Sequence, residues 1–238
     1  MSAARTDEIR AGLAAVRERI ERARRGARRS DDVDLVVVTK TFPASDVLIL
    51  AELGVTDVAE NRDQEARAKR SDCAEGGPLA GGLRWHMIGQ LQRNKAASVA
   101  RWADVVESVD RPELATALAT SVATIGRAID VLVQVSLDPV FRPGRGGADP
   151  ASVPVLAAHV AAQPGLRLRG VMGVAPYPGD PAQAFALLAV AAARVRADWP
   201  EADRISAGMS GDLEEAVAHG ATQVRIGGAV LGQRSYVQ

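Results

Sequence analysis

A chain of 238 residues, 47% hydrophobic and 24% charged, has the composition of a globular protein and is long enough for one large domain or two small ones. With 29 Lys+Arg against 29 Asp+Glu the formal net charge is +0, so the broad basic field used by nucleic-acid-binding proteins is missing. A lone Cys73 excludes an internal disulfide, no Cys/His cluster has metal-ligand spacing, and no apolar run is long enough to span a bilayer.

Residues 1–30 are predicted to form an N-terminal segment built on one amphipathic helix. Ile9, Leu13, Val16 and Ile20 recur at helical spacing over 6–27. Its start is polar rather than an apolar signal core, which predicts a cytoplasmic protein with no membrane partner. The Arg-rich stretch from Arg22 to Arg29 reads as a solvated helix face rather than a phosphate site.

Residues 31–238 then alternate between two patterns. Apolar strands are predicted at 34–39, 56–59, 84–88, 104–107, 130–137, 167–174, 203–206 and 222–226. Between them fall helices at 43–53, 62–72, 92–101, 112–126, 151–162, 181–198 and 211–219. Eight strands alternating with helices over this length predict a single (β/α)8 barrel, with an open doubly wound sheet as the competing architecture. No Pro-, Gly- or Ser-rich linker divides the chain, so a second domain is not expected. The longest irregular stretch, Asp138 to Pro150, reads as a mobile loop after the fifth strand.

Only Lys40, Lys69 and Lys95 among the 29 basic residues are lysines. Lys40 ends the apolar strand Leu35-Val36-Val37-Val38-Thr39. An amine can lose its proton, add to a carbonyl and form a Schiff base, which a guanidinium cannot do. The competing reading is a strand-end lysine whose stem passes apolar surface to reach solvent.

Barrel active sites form at the C-terminal ends of the strands. Polar residues gather there: Lys40 after strand one, Glu60 and Asn61 after strand two, His86 near the end of strand three. Ser108 and Asp110 follow strand four, and Arg145 lies in the loop after strand five. Ser206 to Asp212 follows strand seven, and Arg225 to Gly228 follows strand eight. Barrels frequently bind phosphate with these last two loops. Ser210-Gly211 and Gly227-Gly228 suit that use because glycines let backbone N–H groups approach an anion closely. Tight strand-to-helix turns are the alternative. Asp212 would repel a phosphate, but its side chain can cap the following helix instead.

A phosphate site facing a lysine suits pyridoxal 5′-phosphate (PLP), which carries an aldehyde and a phosphate monoester. A barrel aldolase acting on a sugar phosphate would use the same pair. Arg225 bears on the first reading. Beside a pyridine nitrogen it can only donate, leaving that nitrogen unprotonated and the ring a weaker electron sink than an acidic partner would make it. A barrel-end ion pair with Glu60 is its other reading.

Five ordered segments resemble one family over nearly the whole chain, the pyridoxal phosphate homeostasis proteins. They are Val38-Thr39-Lys40-Thr41, Glu60-Asn61-Arg62-Asp63-Gln64-Glu65 and Trp85-His86-Met87-Ile88-Gly89-Gln90-Leu91-Gln92-Arg93-Asn94-Lys95. Ser206-Ala207-Gly208-Met209-Ser210-Gly211-Asp212 and Val224-Arg225-Ile226-Gly227-Gly228 complete the set. The resemblance implies a barrel like that of alanine racemase and bacterial-type ornithine decarboxylases, the fold-type III PLP proteins, without their extra β-domain. It implies that Lys40 holds PLP as a Schiff base, that Ser210, Gly227 and Gly228 bind its phosphate, and that Arg225 faces the pyridine nitrogen. Asn61 and His86 would be further pocket residues, and Met209 would pack beside the phosphate loop.

The chain departs from the family's pattern in four places. Phe42 stands where many members have a second Lys, and Gly228 where Thr is common. Ala59 replaces a Gly, and Arg145 replaces a loop Lys. The implied role is intracellular vitamin B6 homeostasis, buffering or delivering PLP with little or no turnover. PLP-dependent apo-enzymes are the expected recipients and the expected state is a monomer or weak dimer. Racemisation needs an acid/base group on each face of the substrate, and Lys40 serves one face. Tyr177 and Tyr236 are the only tyrosines, and Tyr177 at the barrel mouth would favour the alternative, a racemase-like enzyme of low activity.

Overall fold

Short Val-rich strands, apolar at nearly every position, are what a parallel sheet covered by helices requires. In the computed structural model, which describes residues 3–75, 82–139 and 145–232, eight such strands close into a parallel barrel in sequence order. The strands are β1 (Asp34–Val38), β2 (Asp57–Glu60), β3 (Arg84–Met87), β4 (Val105–Val109), β5 (Ile129–Val135), β6 (Leu166–Gly173), β7 (Arg204–Ser206) and β8 (Gln223–Ile226). Pairing of β1 with β8, Val36 opposite Arg225 and Val37 opposite Ile226, closes the sheet and excludes the open alternative.

The helices are α1 (Ala3–Gly26), α2 (Ala44–Glu52), α3 (Asp63–Glu75), α4 (Ala96–Val99), α5 (Pro112–Thr124), α6 (Val153–Ala161), α7 (Pro181–Asp198), α8 (Leu213–Ala218) and α9 (Gly228–Leu231). Among the described residues none of them is long and apolar enough to cross a membrane. α7 spans the predicted 181–198, with the Asp180 carboxylate accepting from the Ala182 N–H at 2.9 Å and Pro181 at the first helical position. The predicted helix at 92–101 is instead a 3-10 turn, Arg93–Lys95, running into the single turn of α4. α9, which the sequence patterns did not suggest as a helix, follows β8 directly. Of the predicted loop from Asp138 to Pro150, residues 140–144 lie outside the described residues. Its return limb pairs back on β5 through Val135 and Ala148.

Alternation along the strands separates two interiors. Val37, Val58, Val106, Val131, Val224 and Ile226 belong to the main apolar core between sheet and helices. Alternate positions form small separate clusters, Val36 with Val38 and Ala59, and Val105 with Leu132 and Met172. The same lumen holds the buried polar residues His86, Glu107, Ser206, Gln223 and Arg225. α1 buries Ile9, Leu13, Val16 and Ile20 on one face, each contributing about 1.5–3 kcal/mol by apolar burial. It packs so closely on α9 that a Cβ at Gly12 would lie 2.4 Å from the Val230 carbonyl oxygen.

Gly170 marks the tightest strand contact. Its φ is +143, and a Cβ there would lie 1.9 Å from the backbone oxygen of Arg204 on β7, next to a register shift between Val131 and Leu132 on β5. Gly170→Ala is expected to cost about 3 kcal/mol from strain and overpacking, read as a lowered urea midpoint at unchanged slope.

Candidate functional site

Strand ends β1, β7 and β8 meet around one cavity of about 710 Å³ at the C-terminal mouth of the barrel. Lys40 enters it from the end of β1, beside Val38 and Phe42, and Ile88 lines it from just past β3. Ser210 and Gly211 come from the β7 loop, and Arg225, Gly227 and Gly228 from β8 and its turn into α9. Met209 lies on the rim, 41% exposed. Six of the eight predicted site residues are therefore brought together: Lys40, Met209, Ser210, Arg225, Gly227 and Gly228.

The glycine-rich side has the shape of an anion cradle. A Cβ at Gly227 would come within 3.0 Å of the Val38 carbonyl oxygen, so the β8 turn lies flush against β1. Cβ atoms at Gly211 or Gly228 would meet nothing within 4 Å, leaving backbone accessible from the cavity. Gly228 and Ala229 open the first turn of α9, where backbone N–H groups have no intrahelical acceptor. Asp212 does not cap α8 with its side chain. Its carboxylate turns back to accept from the Met209 N–H at 2.6 Å and so shapes the β7 loop. Both loops are tied to α1: Arg19 donates to the Ser210 carbonyl at 2.8 Å and Arg5 to the Leu231 carbonyl at 2.9 Å. A phosphate monoester fits the donors of this cradle, and an aldehyde fits the amine opposite it.

Arg225 is buried and aimed by fixed partners. It donates to the Ser206 hydroxyl and, at 2.9 Å, to the Gly173 carbonyl. The ion pair with Glu60, the alternative reading of Arg225, is not formed, because Glu60 faces the other side of the strand and binds Lys69 at 2.6 Å. The carboxylate neighbour of Arg225 is Glu107 of β4 at 3.7 Å. Glu107 also accepts from Ser206 and from Gln223 at 2.8 Å, and meets His86 Nδ1 at 2.6 Å. His86 Nε2 lies 2.9 Å from Asp57. Burial opposes charge on His86, but the hydrogen bonds to Asp57 and Glu107 outweigh it and raise its pKa. Burial likewise pushes Glu107 upward, and His86, Arg225 and Ser206 together hold it below the usual carboxylate value.

His86 is thus a member of the lumen network and not a wall of the mouth cavity. It lines a second space, about 770 Å³, at the N-terminal end of the barrel with Asp57, Arg84 and Asp130. Asn61 is exposed at the end of β2, packed against Gly89, and does not line the cavity either. Ser108 is buried within β4. Asp110 accepts from Arg111 and the Gly147 N–H, while Arg145 binds the Val174 carbonyl at 3.2 Å and Asp138 at 2.7 Å. Tyr177 is 90% exposed and away from the cavity, and Tyr236 lies outside the described residues. Sequence reasoning passed over Glu107 and Gln223. A polar residue at an inward alternate position of an apolar strand was the available signal.

A sequence model of the alanine racemase N-terminal domain matches residues 12–235. The pyridoxal phosphate homeostasis protein of Mycobacterium bovis is 45% identical over 246 residues, covering 97% of this chain and 94% of the relative. That of Escherichia coli is 36% identical over 234 residues, covering 97% and 98%. Among solved structures, PipY of Synechococcus elongatus with PLP bound superposes at a TM-score of 0.80 with 30% identity, covering 94% of this chain and 100% of that one. Alanine racemase of Clostridium difficile superposes at 0.70 with 15% identity, and this chain covers 58% of it, a likeness of fold to one part of a larger protein. A complete barrel, a lysine facing a glycine cradle and full-length identity to these relatives place the chain in the pyridoxal phosphate homeostasis protein family.

Proposed function

We propose that this protein binds PLP as a Schiff base on Lys40 and serves intracellular PLP homeostasis with little or no catalytic turnover. One observation carries the reading: Lys40 and Arg225 are the only charged groups among the described residues lining the cavity. Lys40 supplies the amine. Its Nζ, when unprotonated, would hold the aldehyde carbon in a C=N bond, with the carbonyl oxygen released as water. Ser210, Gly227 and Gly228 bind the phosphate, and Arg225, oriented by Ser206 and Gly173, donates toward the ring nitrogen. When bound, PLP supplies an electron sink, which an arginine at that nitrogen leaves weak.

The same lining argues against turnover. Moving a proton on both faces of a substrate carbon needs two acid/base groups, and only one amine stands here. Tyr177, the candidate second base, is turned to solvent. Gly228 has no hydroxyl to add to the phosphate donors, and Phe42 gives an apolar wall where a second lysine would stand. A cytoplasmic, monomeric or weakly dimeric carrier that exchanges PLP with PLP-dependent apo-enzymes fits these features.

The test is deuterium exchange at the α-carbon of several amino acids by PLP-loaded protein. Exchange is expected to stay far below enzyme rates. A rate on the order of 1 per second or more for any amino acid would overturn the reading.

A further inference from the structure

Lys69 of α3 is 5% exposed, and its ammonium makes three bonds: to the Thr39 carbonyl at 2.7 Å, Glu60 Oε1 at 2.6 Å and Glu65 Oε1 at 3.1 Å. Burying an ammonium is unfavourable, and apolar side chains of similar volume often do as well or better for stability. Its partners suggest what the charge is for. Thr39 precedes Lys40, and the Thr39 hydroxyl also donates to Glu60 Oε1 at 2.6 Å. Thr41 follows Lys40, and its N–H donates to the same Glu65 oxygen that Lys69 holds. The peptide units on both sides of Lys40 are therefore bound to one ion cluster.

That cluster grips a tight turn. The Phe42 N–H donates back to the Thr39 carbonyl at 3.0 Å, so Lys40 and Thr41 are the central residues. Thr41 has φ 68. A positive φ at the third position of such a turn is normally supplied by glycine, and for a β-branched residue it is strained. Without its acceptor the Thr41 peptide would relax, and the Lys40 side chain would leave its aim into the cavity.

We propose that Lys69 and Glu65 are positioning residues that lock this turn and pre-set the Lys40 amine for capture of PLP. The proposal rests on the reading of Lys40 as the capturing amine. Lys69 and Glu65 touch neither the cavity nor its contents; they act through the backbone of residues 39 to 41.

The experiment has two readouts on the full chain. In PLP-free protein, hydrogen exchange at the Thr41 amide is compared among the native protein, Glu65→Ala and Lys69→Met. Growth of the visible absorption band on mixing with PLP is then timed. Glu65 is 27% exposed at its side chain, so its variant tests the idea even if Lys69→Met does not fold. Glu65→Ala is expected to speed Thr41 exchange and slow capture by roughly tenfold, the scale of one strained backbone conformation. Adding Thr41→Gly to Glu65→Ala is expected to restore the capture rate, because glycine takes positive φ without strain. A general loss of stability would not be repaired in this way. Native exchange and capture rates in Glu65→Ala, or failure of the glycine to rescue, would overturn the proposal. If the native protein formed no band at all, the Lys40 reading would fall, while Thr41 exchange would still decide whether the clamp exists.

Discussion

Lys40→Ala protein is expected to lose the visible absorption band of the PLP-loaded protein, and borohydride is expected to fix no cofactor to the chain. In the native protein the reductant delivers hydride to the C=N carbon, and peptide mapping should place the resulting secondary amine on Lys40. Lys40→Arg makes the test sharper. Arginine keeps the positive charge opposite the glycine cradle but cannot form the bond. A cavity that holds PLP by charge alone would keep its spectrum in Lys40→Arg, whereas covalent capture predicts loss of the Schiff-base band in both variants. The same band persisting in Lys40→Ala would mean that another amine, Lys69 or Lys95, or none, is responsible.

Glu107→Gln is expected to be the most destabilising single change in the lumen. The carboxylate has His86 on one oxygen and Ser206 on the other, with Arg225 at 3.7 Å. Removing its charge leaves the buried Arg225 guanidinium without its nearest counter-ion and His86 with Asp57 alone, a loss of about 3–5 kcal/mol. For a chain of this length that is a fall in Tm of about 10 °C by calorimetry. The pH dependence should change with it. His86 has its pKa raised in the fold, so its contribution is complete below the ordinary imidazole value of 6.5 and fades as pH rises through the raised value. Glu107 is lowered from 4.5, so its contribution is complete above that value and fades as pH falls through the lowered one. Native stability from this pair should therefore be greatest between 4.5 and 6.5 and decline on both sides. Both flanks should flatten in Glu107→Gln, and an unchanged Tm–pH profile would show that the network is not ionised as described.

The architecture was legible because strand and helix periods differ and eight alternations leave few topologies. The glycine loops and Lys40 were legible because each breaks a local habit: an amine among arginines, and glycines where a helix begins. His86 was misplaced for a geometric reason. A strand end specifies height in a barrel only to within a residue or two. Ile88, two residues on and of the same inward parity, is the one that reaches the cavity, while His86 sits one layer below. An ion pair of Arg225 with Glu60 stood as the alternative on sequence, yet β2 turns Glu60 outward to α3. In β2, Asp57-Val58-Ala59-Glu60, a charged residue at each end with two apolar ones between gives no alternation from which parity can be read. Lys69 was invisible for another reason. Its meaning lies in oxygens on β1 and β2 that no spacing along α3 announces.

The cavity lies across the seam where the first strand meets the last. Lys40 comes from β1, and Arg225, Gly227 and Gly228 come from β8 and the turn behind it, joined by the register of Val36 with Arg225 and Val37 with Ile226. No partial barrel contains both halves of the site. A cofactor bound as proposed would first be recognised when the final strand has docked, so its binding free energy would act on ring closure rather than on any earlier step. PLP held as proposed, by Lys40 on one side and the β8 turn on the other, would work as a latch across the seam, and fraying of β8 would release it before the rest of the barrel opened.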